Sequence, residues 1–255
     1  MALSNVPPLM KAQLAALVLA YVMPTSGVLK RFAATRDDLS VTQLKATGVA
    51  AVAPVLAKDV ASSLGVNWNS GELTLNASLM VRFPGRCRID LSSPESTRTI
   101  SVAVSSGKKR FEGGELAALG VALEQACALL ALKSGEDGAT REAVLKHLAS
   151  LKVETKNVSL ARLDGAVTST SVSYLIGARD DGAPQLWVSK ERFLPTRLRF
   201  NDGGTMWDVR FSDYTSQATG ETWPRVLEIS KGAEPLLRVM VLAADPKADL
   251  SQVKF

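Results

Sequence analysis

The chain has 255 residues, of which 46% are hydrophobic and 22% charged, a composition that indicates a folded globular protein and excludes an intrinsically disordered one. Its formal net charge of +5 is spread along the sequence, without the lysine- and arginine-rich run that marks nucleic-acid contact. We therefore expect no nucleic-acid partner, while the mild basic excess suits an anionic lipid or an acidic protein.

The N-terminal region contains a ten-residue apolar run, residues 14–23, which is too short to span a bilayer. It has the length of a signal-peptide core, and it also suits an amphipathic helix over 7–23 that stops at Pro24. The pattern favours the structural helix, because no clear cleavage site follows Pro24. A second short helix is predicted over 26–36. Any export signal would then lie outside this chain; the alternative is that residues 1–27 are that signal.

Alternating apolar and polar residues in 72–94 predict a β-hairpin. Odd positions are apolar on both sides of Pro84-Gly85, and even positions are mostly polar. This gives two antiparallel strands with one apolar and one polar, partly basic face. The segment 42–57 is β-like or mixed and leads into a loop, and 98–111 is a further strand region that turns at Ser106-Gly107.

The periodicity changes to a helical one after residue 113. Apolar residues recur at spacings of three and four, which predicts an amphipathic helix over 115–133. Gly135 and Gly138 end this helix. Thr140 caps a further helix that runs to about Ser150.

From Leu151 onward, the sequence is typical of strands separated by turn residues. The predicted strands are 152–163, 166–178, 184–190, 195–201, 206–215, 222–231 and 235–243. Helices, strands, two helices and strands in that order predict an α+β fold with one large antiparallel sheet. Nine or ten strands with one apolar face each are too wide to stay flat. We expect an unclosed half-barrel whose concave apolar face is covered by the helices.

The two cysteines, Cys87 and Cys127, lie outside any C-x-x-C pair, so neither a zinc nor a redox motif is indicated. Cys87 falls on the apolar phase of its strand and Cys127 on the apolar stripe of its helix. They are either two buried small side chains or a disulfide between sheet and helix, which requires an oxidising compartment.

The chain offers few residues for catalysis. His147 is the one histidine, and we expect it at the surface or flanking the apolar side of its helix. Ser105 and Lys108 have the spacing of Ser/Lys acyl enzymes, but they lie in a turn between strands rather than at a helix start. We therefore predict no enzyme activity, no cofactor and no metal site.

Six arginines lie mostly on the polar phase of strands and form either a solvated outer face or a docking face for an anionic partner: Arg82, Arg86, Arg88, Arg197, Arg199 and Arg210.

Three runs in residues 72–255 contain residues that match the motifs of one known family, and they occur in the same order as in that family. The first carries Arg82, Pro84, Arg88, Asp90, Pro94 and Gly107; the second carries Leu186, Trp187, Lys190, Leu194, Pro195 and Arg197; the third carries Phe211, Asp213, Tyr214, Gly220 and Pro224. In these runs the chain resembles the LolA-like outer-membrane lipoprotein-sorting family. The resemblance implies an unclosed antiparallel barrel covered by helices, with 1–255 as a single domain, N-terminal helices in 1–36 and a helical lid in 113–150.

The resemblance also implies a function. We expect a non-catalytic carrier in the periplasm that holds the acyl chains of a lipid or lipoprotein and delivers them toward the outer membrane. An inner-membrane transporter and an outer-membrane acceptor would be its partners, and the carrier would be a monomer. The residues expected to face the cargo are Leu73, Leu75, Leu79, Val81, Ile89, Leu91, Leu119, Leu123, Leu130, Trp187, Val209 and Phe211.

Two other interpretations remain open. The second hypothesis is a lipid-sensing or protein-binding module that regulates a membrane partner; for the residues named above, the alternative to lining a cavity is a dry structural core. An enzyme that uses Ser105 and Lys108 is the third hypothesis, and the turn location of the motif argues against it.

Overall fold

The fold is taken from a computed structural model of the chain. The structure describes residues 23–39, 41–105, 108–113, 117–133, 138–162, 172–214 and 223–255. The predicted helix over 7–23 and the turn at Ser106-Gly107 lie outside these ranges. A single domain over 1–255 therefore stays a prediction.

The described residues form one antiparallel sheet of twelve strands. The strands are β1 (Gln43–Val52), β2 (Leu73–Arg82), β3 (Arg86–Ser92), β4 (Thr99–Ser105), β5 (Lys108–Glu112), β6 (Val158–Arg162), β7 (Val172–Gly177), β8 (Gln185–Ser189), β9 (Pro195–Asp202), β10 (Thr205–Ser212), β11 (Val226–Lys231) and β12 (Glu234–Asp245). Their order in the sheet is β5-β4-β3-β2-β1-β12-β11-β10-β9-β8-β7-β6, so β5 and β6 are the two free edges. The sheet does not close, and the predicted α+β half-barrel is confirmed.

Four helices are described: α1 (Thr25–Asp37), α2 (Pro54–Leu64), α3 (Ala117–Leu130) and α4 (Ala139–Ser150). Proline suits the first turn of α2 because its missing N–H would be unpaired there in any case. Gly65 ends α2 in the left-handed conformation, which glycine adopts without steric cost. The helices predicted over 26–36, 115–133 and 140–150 correspond to α1, α3 and α4.

The register of the strands separates two faces of the sheet. Leu79 lies opposite Ile89, and Leu198 lies opposite Val209; all four are buried and point to the same side. We call the side that carries these residues, and that the helices cover, the inner face, and the other side the outer face. Side chains alternate along each strand, so the inner face is apolar from β4 to β10 without a break.

Helix α3 lies within the curve of the sheet. It contacts β3 and β4 on one side and β10 on the other. In a flat sheet β3 and β10 would lie roughly 24 Å apart, because neighbouring strands are about 4.8 Å apart. One helix reaches both strands only because the sheet bends around it. Helices α1 and α4 pack chiefly on each other.

Helix α2 was not predicted from the sequence. Residues 42–57 were predicted as a β-like or mixed segment before a loop, whereas β1 ends at Val52 and α2 follows directly. The run from Gly48 to Leu56 is apolar almost throughout, so its periodicity does not distinguish a strand from a helix. Pro54 was the available signal, since proline is favoured at a helix start.

The strand predicted over 152–163 begins later than expected, at Val158. Lys152 has a φ of 59°, and the amide of Val153 donates to the carbonyl oxygen of Leu148 at 3.0 Å. The chain therefore still closes the end of α4 at these positions. The other predicted C-terminal strands match β7 to β12 to within a few residues wherever the structure describes them.

Candidate functional site

The buried space between the helices and the inner face is filled by one cluster of apolar side chains, which we call the inner core. Ten of the twelve residues predicted to face the cargo belong to it, and Leu73 is partly buried against it. The ten are Leu75, Leu79, Val81, Ile89, Leu91, Leu119, Leu123, Leu130, Val209 and Phe211. The structure thus brings eleven of the predicted residues together. Whether they bind lipid stays a prediction.

The twelfth residue, Trp187, lies on the outer face. It pairs with Arg197, whose guanidinium carbon lies 5.1 Å from the centre of the indole ring. The indole N–H donates to the side-chain oxygen of Gln185 at 3.0 Å. Its neighbours Leu186 and Val188 are the residues of β8 that enter the inner core. All three are apolar and buried, so alternation alone did not reveal which of them points inward.

The C-terminal part of α3 is fixed to the sheet. A disulfide joins Cys127 to Cys87 in β3, which decides between the two interpretations left open by the sequence. The amide of Gly85, in the turn between β2 and β3, donates to the carbonyl oxygen of Ala131 at 3.0 Å. Helix α3 therefore cannot leave the sheet at this end while the disulfide is intact.

Arg36 joins α1 to the same end of α3. Its side chain is fully buried. The Nε atom donates to the carbonyl oxygen of Leu132 at 3.2 Å, and Nη2 donates to the carbonyl oxygen of Leu130. These carbonyls lie at and just beyond the end of α3, where the helix has no N–H to pair with them. Arg36 was not identified from the sequence, because a lone arginine in a short helix is usually solvated.

The surroundings of Arg36 are aromatic and basic. Its guanidinium carbon lies 5.9 Å from the centre of the Phe83 ring, and Lys133 Nζ lies 6.0 Å from the same centre. Desolvation by burial lowers the pKa of Arg36 to about 10, so the side chain stays charged at neutral pH. Burial raises the pKa of Tyr214, so its hydroxyl stays neutral and donates to the carbonyl oxygen of Pro195 at 2.5 Å. Among the described residues, no carboxylate forms an ion pair with Arg36 or Lys133.

His147 flanks the apolar side of its helix, which is one of the two positions predicted for it. It is half-buried on α4, and its Nε2 atom has no hydrogen-bond partner among the residues that the structure describes. Desolvation by burial lowers the pKa of His147 to about 4, so the ring is neutral at pH 7. No group of three metal-ligating side chains occurs in the described ranges.

The outer face is not simply a solvated basic surface, as the sequence had suggested. Arg197 binds the carboxylate of Asp208 through two nitrogens, and Nε lies 2.8 Å from Oδ1. Arg88 contacts Asp90 at 2.7 Å and Glu112 at 3.1 Å. These pairs neutralise the charges of Arg88 and Arg197, and a docking face formed by the six arginines stays a prediction.

A shallow groove of about 600 Å³ opens on the outer side of β6 to β8. Its lining combines apolar and charged side chains: Leu160, Ala161, Arg162, Val172, Leu175, Arg179, Asp181, Gln185 and Trp187. Trp187 belongs to this groove rather than to the inner core.

Three solved structures are similar to this chain over most of its length. A LolA superfamily protein from Nitrosomonas europaea is 10% identical, with a TM-score of 0.45, and the match covers 91% of this chain and 97% of that one. A domain from Vibrio parahaemolyticus described as outer membrane lipoprotein-sorting is 10% identical, with a TM-score of 0.42 and coverages of 87% and 91%. A DUF1329 family protein from Desulfovibrio piger is 10% identical, with a TM-score of 0.43 and coverages of 91% and 98%.

No protein-family model matches the chain, and no curated protein sequence matches it. Within the described residues, no helix has the length and apolar character needed to cross a membrane.

Proposed function

We propose that the protein is a non-catalytic periplasmic carrier that binds the acyl chains of a lipid or lipoprotein between its helices and the inner face of its sheet. The observation that carries this proposal is the inner face itself, a curved and unbroken apolar surface spanning β4 to β10. The motif resemblance to LolA-like proteins in residues 72–255 points the same way. Delivery toward the outer membrane, from a transporter to an acceptor, is part of the proposal.

Apolar contact supplies most of the binding free energy at such a site. Each buried CH₂ contributes about 0.8 kcal/mol, so a chain of roughly 14 CH₂ groups gains on the order of 11 kcal/mol on leaving water. Specific polar contacts are not needed for that gain. The inner core is filled in this structure, so cargo must replace apolar side chains of the helices on the inner face.

The position of the disulfide indicates which helices would move. Helix α3 is covalently held at Cys127, whereas α1 and α4 pack chiefly on each other. We infer that the α1–α4 pair moves away from the sheet when cargo enters, with α3 as a fixed wall. Arg36 lies in the last turn of α1, so its hydrogen bonds to the end of α3 would hold that end of α1 in place while the rest of the pair moves.

The proposal is tested by native mass spectrometry of the oxidised protein purified from a membrane-containing lysate, followed by organic extraction and lipid analysis. The carrier function predicts bound acyl species that leave on extraction. Leu242 is 52% exposed and serves as a control for surface adsorption. Leu242→Ser should retain the bound species. A protein that shows only its own mass and takes up no fluorescent fatty acid would contradict the proposal.

A regulatory module that senses lipid or binds a protein is the second candidate. The filled inner core and the covalent link of α3 to the sheet favour it, because both suit a static scaffold. It predicts a stable complex with one protein partner and little lipid turnover. Pull-down from the same lysate, carried out beside the lipid analysis, separates the two candidates.

A further inference from the structure

Three N–H donors in or beside the inner core have no hydrogen-bond partner among the described residues. They are Nη1 of Arg36, Nε1 of Trp207 and Nε1 of Trp223. Guanidinium and indole nitrogens donate and cannot accept. A buried donor without an acceptor retains the cost of its desolvation. Trp207 lies near the start of β10 and Trp223 near its far end, so only Arg36 and Trp223 are candidates for one shared ligand with acceptor oxygens.

Arg36 is the strongest of the three. Two of its nitrogens are occupied by the carbonyl oxygens at the end of α3, and the third, Nη1, has no acceptor within the described part of the chain. Lys133 lies on the same aromatic ring, and neither cation has a carboxylate partner within the part of the chain that the structure describes. A buried cation is normally paired with an anion.

The site lies at one end of the half-barrel. Phe83 directly follows β2, and Tyr214 follows β10. The amide of Arg225 donates to the carbonyl oxygen of Asp213 at 3.2 Å, which places Trp223, two residues earlier, at the same end. The rest of the inner face runs from this polar end as a continuous apolar surface. This is the arrangement that suits an amphiphile with one charged head.

We propose that Arg36 is the polar end of the lipid compartment and that its Nη1 binds the oxyanion head of a single-chain acyl amphiphile, a carboxylate or a phosphate, whose chain lies along the inner core. Such a head supplies two or more acceptors for the two free N–H bonds of Nη1, in charge-assisted hydrogen bonds. The inference rests on the proposed function, since it names the class of ligand for the same compartment.

The test compares dodecanoic acid with dodecanol by titration calorimetry at pH 8, below the concentration at which either aggregates. The two ligands share their chain length and differ in the charged head. The unaltered protein should bind the acid at least tenfold more tightly than the alcohol. Arg36→Gln should reduce that ratio to within twofold.

Arg31→Gln is the matched control, because Arg31 is an exposed arginine on the same helix. It should keep the preference for the acid. Arg36→Lys preserves the charge and should keep part of it. The comparison of acid with alcohol in the unaltered protein requires no variant. It therefore shows whether the compartment prefers a charged head even if Arg36→Gln does not fold.

The outcomes separate this inference from the proposed function. If both ligands bind equally well to the unaltered protein, the polar end is refuted while the carrier function stands. If neither binds, the carrier function itself fails. Inorganic phosphate is titrated alone and into the complex with dodecanoic acid; if it binds as tightly as the acid and displaces it, the site is a free-anion site and the assignment of an amphiphile head is overturned.

Discussion

Reduction of the Cys87–Cys127 disulfide should destabilise the protein without opening the compartment. The two cysteines are 40 residues apart in sequence. In the chain-entropy model, a loop of this length is worth about 13 cal/mol/K, or about 4 kcal/mol at 25 °C. Both side chains are buried, and the reduced thiols still fill the same space, so the loss comes mainly from the freed unfolded chain.

The assay is urea unfolding of the same preparation before and after treatment with a phosphine reductant. The free energy of unfolding should fall by about 4 kcal/mol on reduction. The double variant Cys87→Ala/Cys127→Ala serves as the control and should not respond to the reductant. A change below about 1 kcal/mol would refute the view that this bond fixes α3 to the sheet.

If α1 and α4 are the moving helices, the affinity for a fatty-acid probe should change by no more than about twofold on reduction. A much larger change would identify α3 as the lid.

Three further predictions follow from single sites. Asp208→Asn should destabilise the protein by about 3 kcal/mol in urea unfolding, because it leaves the largely buried Arg197 without its carboxylate; a loss below about 1 kcal/mol would contradict this. His147 has a folded-state pKa of about 4, below its ordinary value of 6.5, so its contribution to stability is present above pH 6.5 and is lost as the pH falls toward 4; His147→Phe should flatten the pH dependence of the free energy of unfolding in that window. Gly113 and Gly71 both have a φ of 80°, but a Cβ at Gly113 would lie 1.7 Å from a carbonyl oxygen of β4, whereas at Gly71 it would meet nothing within 4 Å. Gly71→Ala should therefore cost about 1 kcal/mol in urea unfolding and Gly113→Ala at least 1 kcal/mol more, and equal losses would show that the close contact is not limiting.

The large features of the fold could be predicted from sequence because they depend on periodicity. Alternation in residues 72–94 placed Leu79 and Ile89 on one face, and a spacing of three and four placed Leu119 and Leu123 on one side of a helix. Alternation fails where both faces of a strand are buried. In β8, Leu-Trp-Val offered no polar residue to mark the outer side, so Trp187 was placed on the wrong face.

Features that depend on contacts distant in the sequence could not be predicted. Arg36 is an ordinary residue of a short helix until the end of α3, more than ninety residues later, supplies the carbonyl oxygens that it binds. The pairing of Cys87 with Cys127 likewise depends on where α3 crosses β3. Each cysteine had the phase of a buried residue, and only the three-dimensional arrangement shows that they meet.

The central claim is that an acyl chain occupies the inner core, and energy transfer from tryptophan to a bound polyene fatty acid tests it most directly. Trp207 and Trp223 lie in the inner core, whereas Trp187 lies on the outer face. Single Trp→Phe variants report which tryptophan is near the probe. If the acyl chain occupies the inner core, Trp207→Phe or Trp223→Phe removes a large part of the transfer and Trp187→Phe leaves it nearly unchanged. Transfer that depends on Trp187 and persists without the two inner tryptophans would place the ligand in the outer groove and contradict the account.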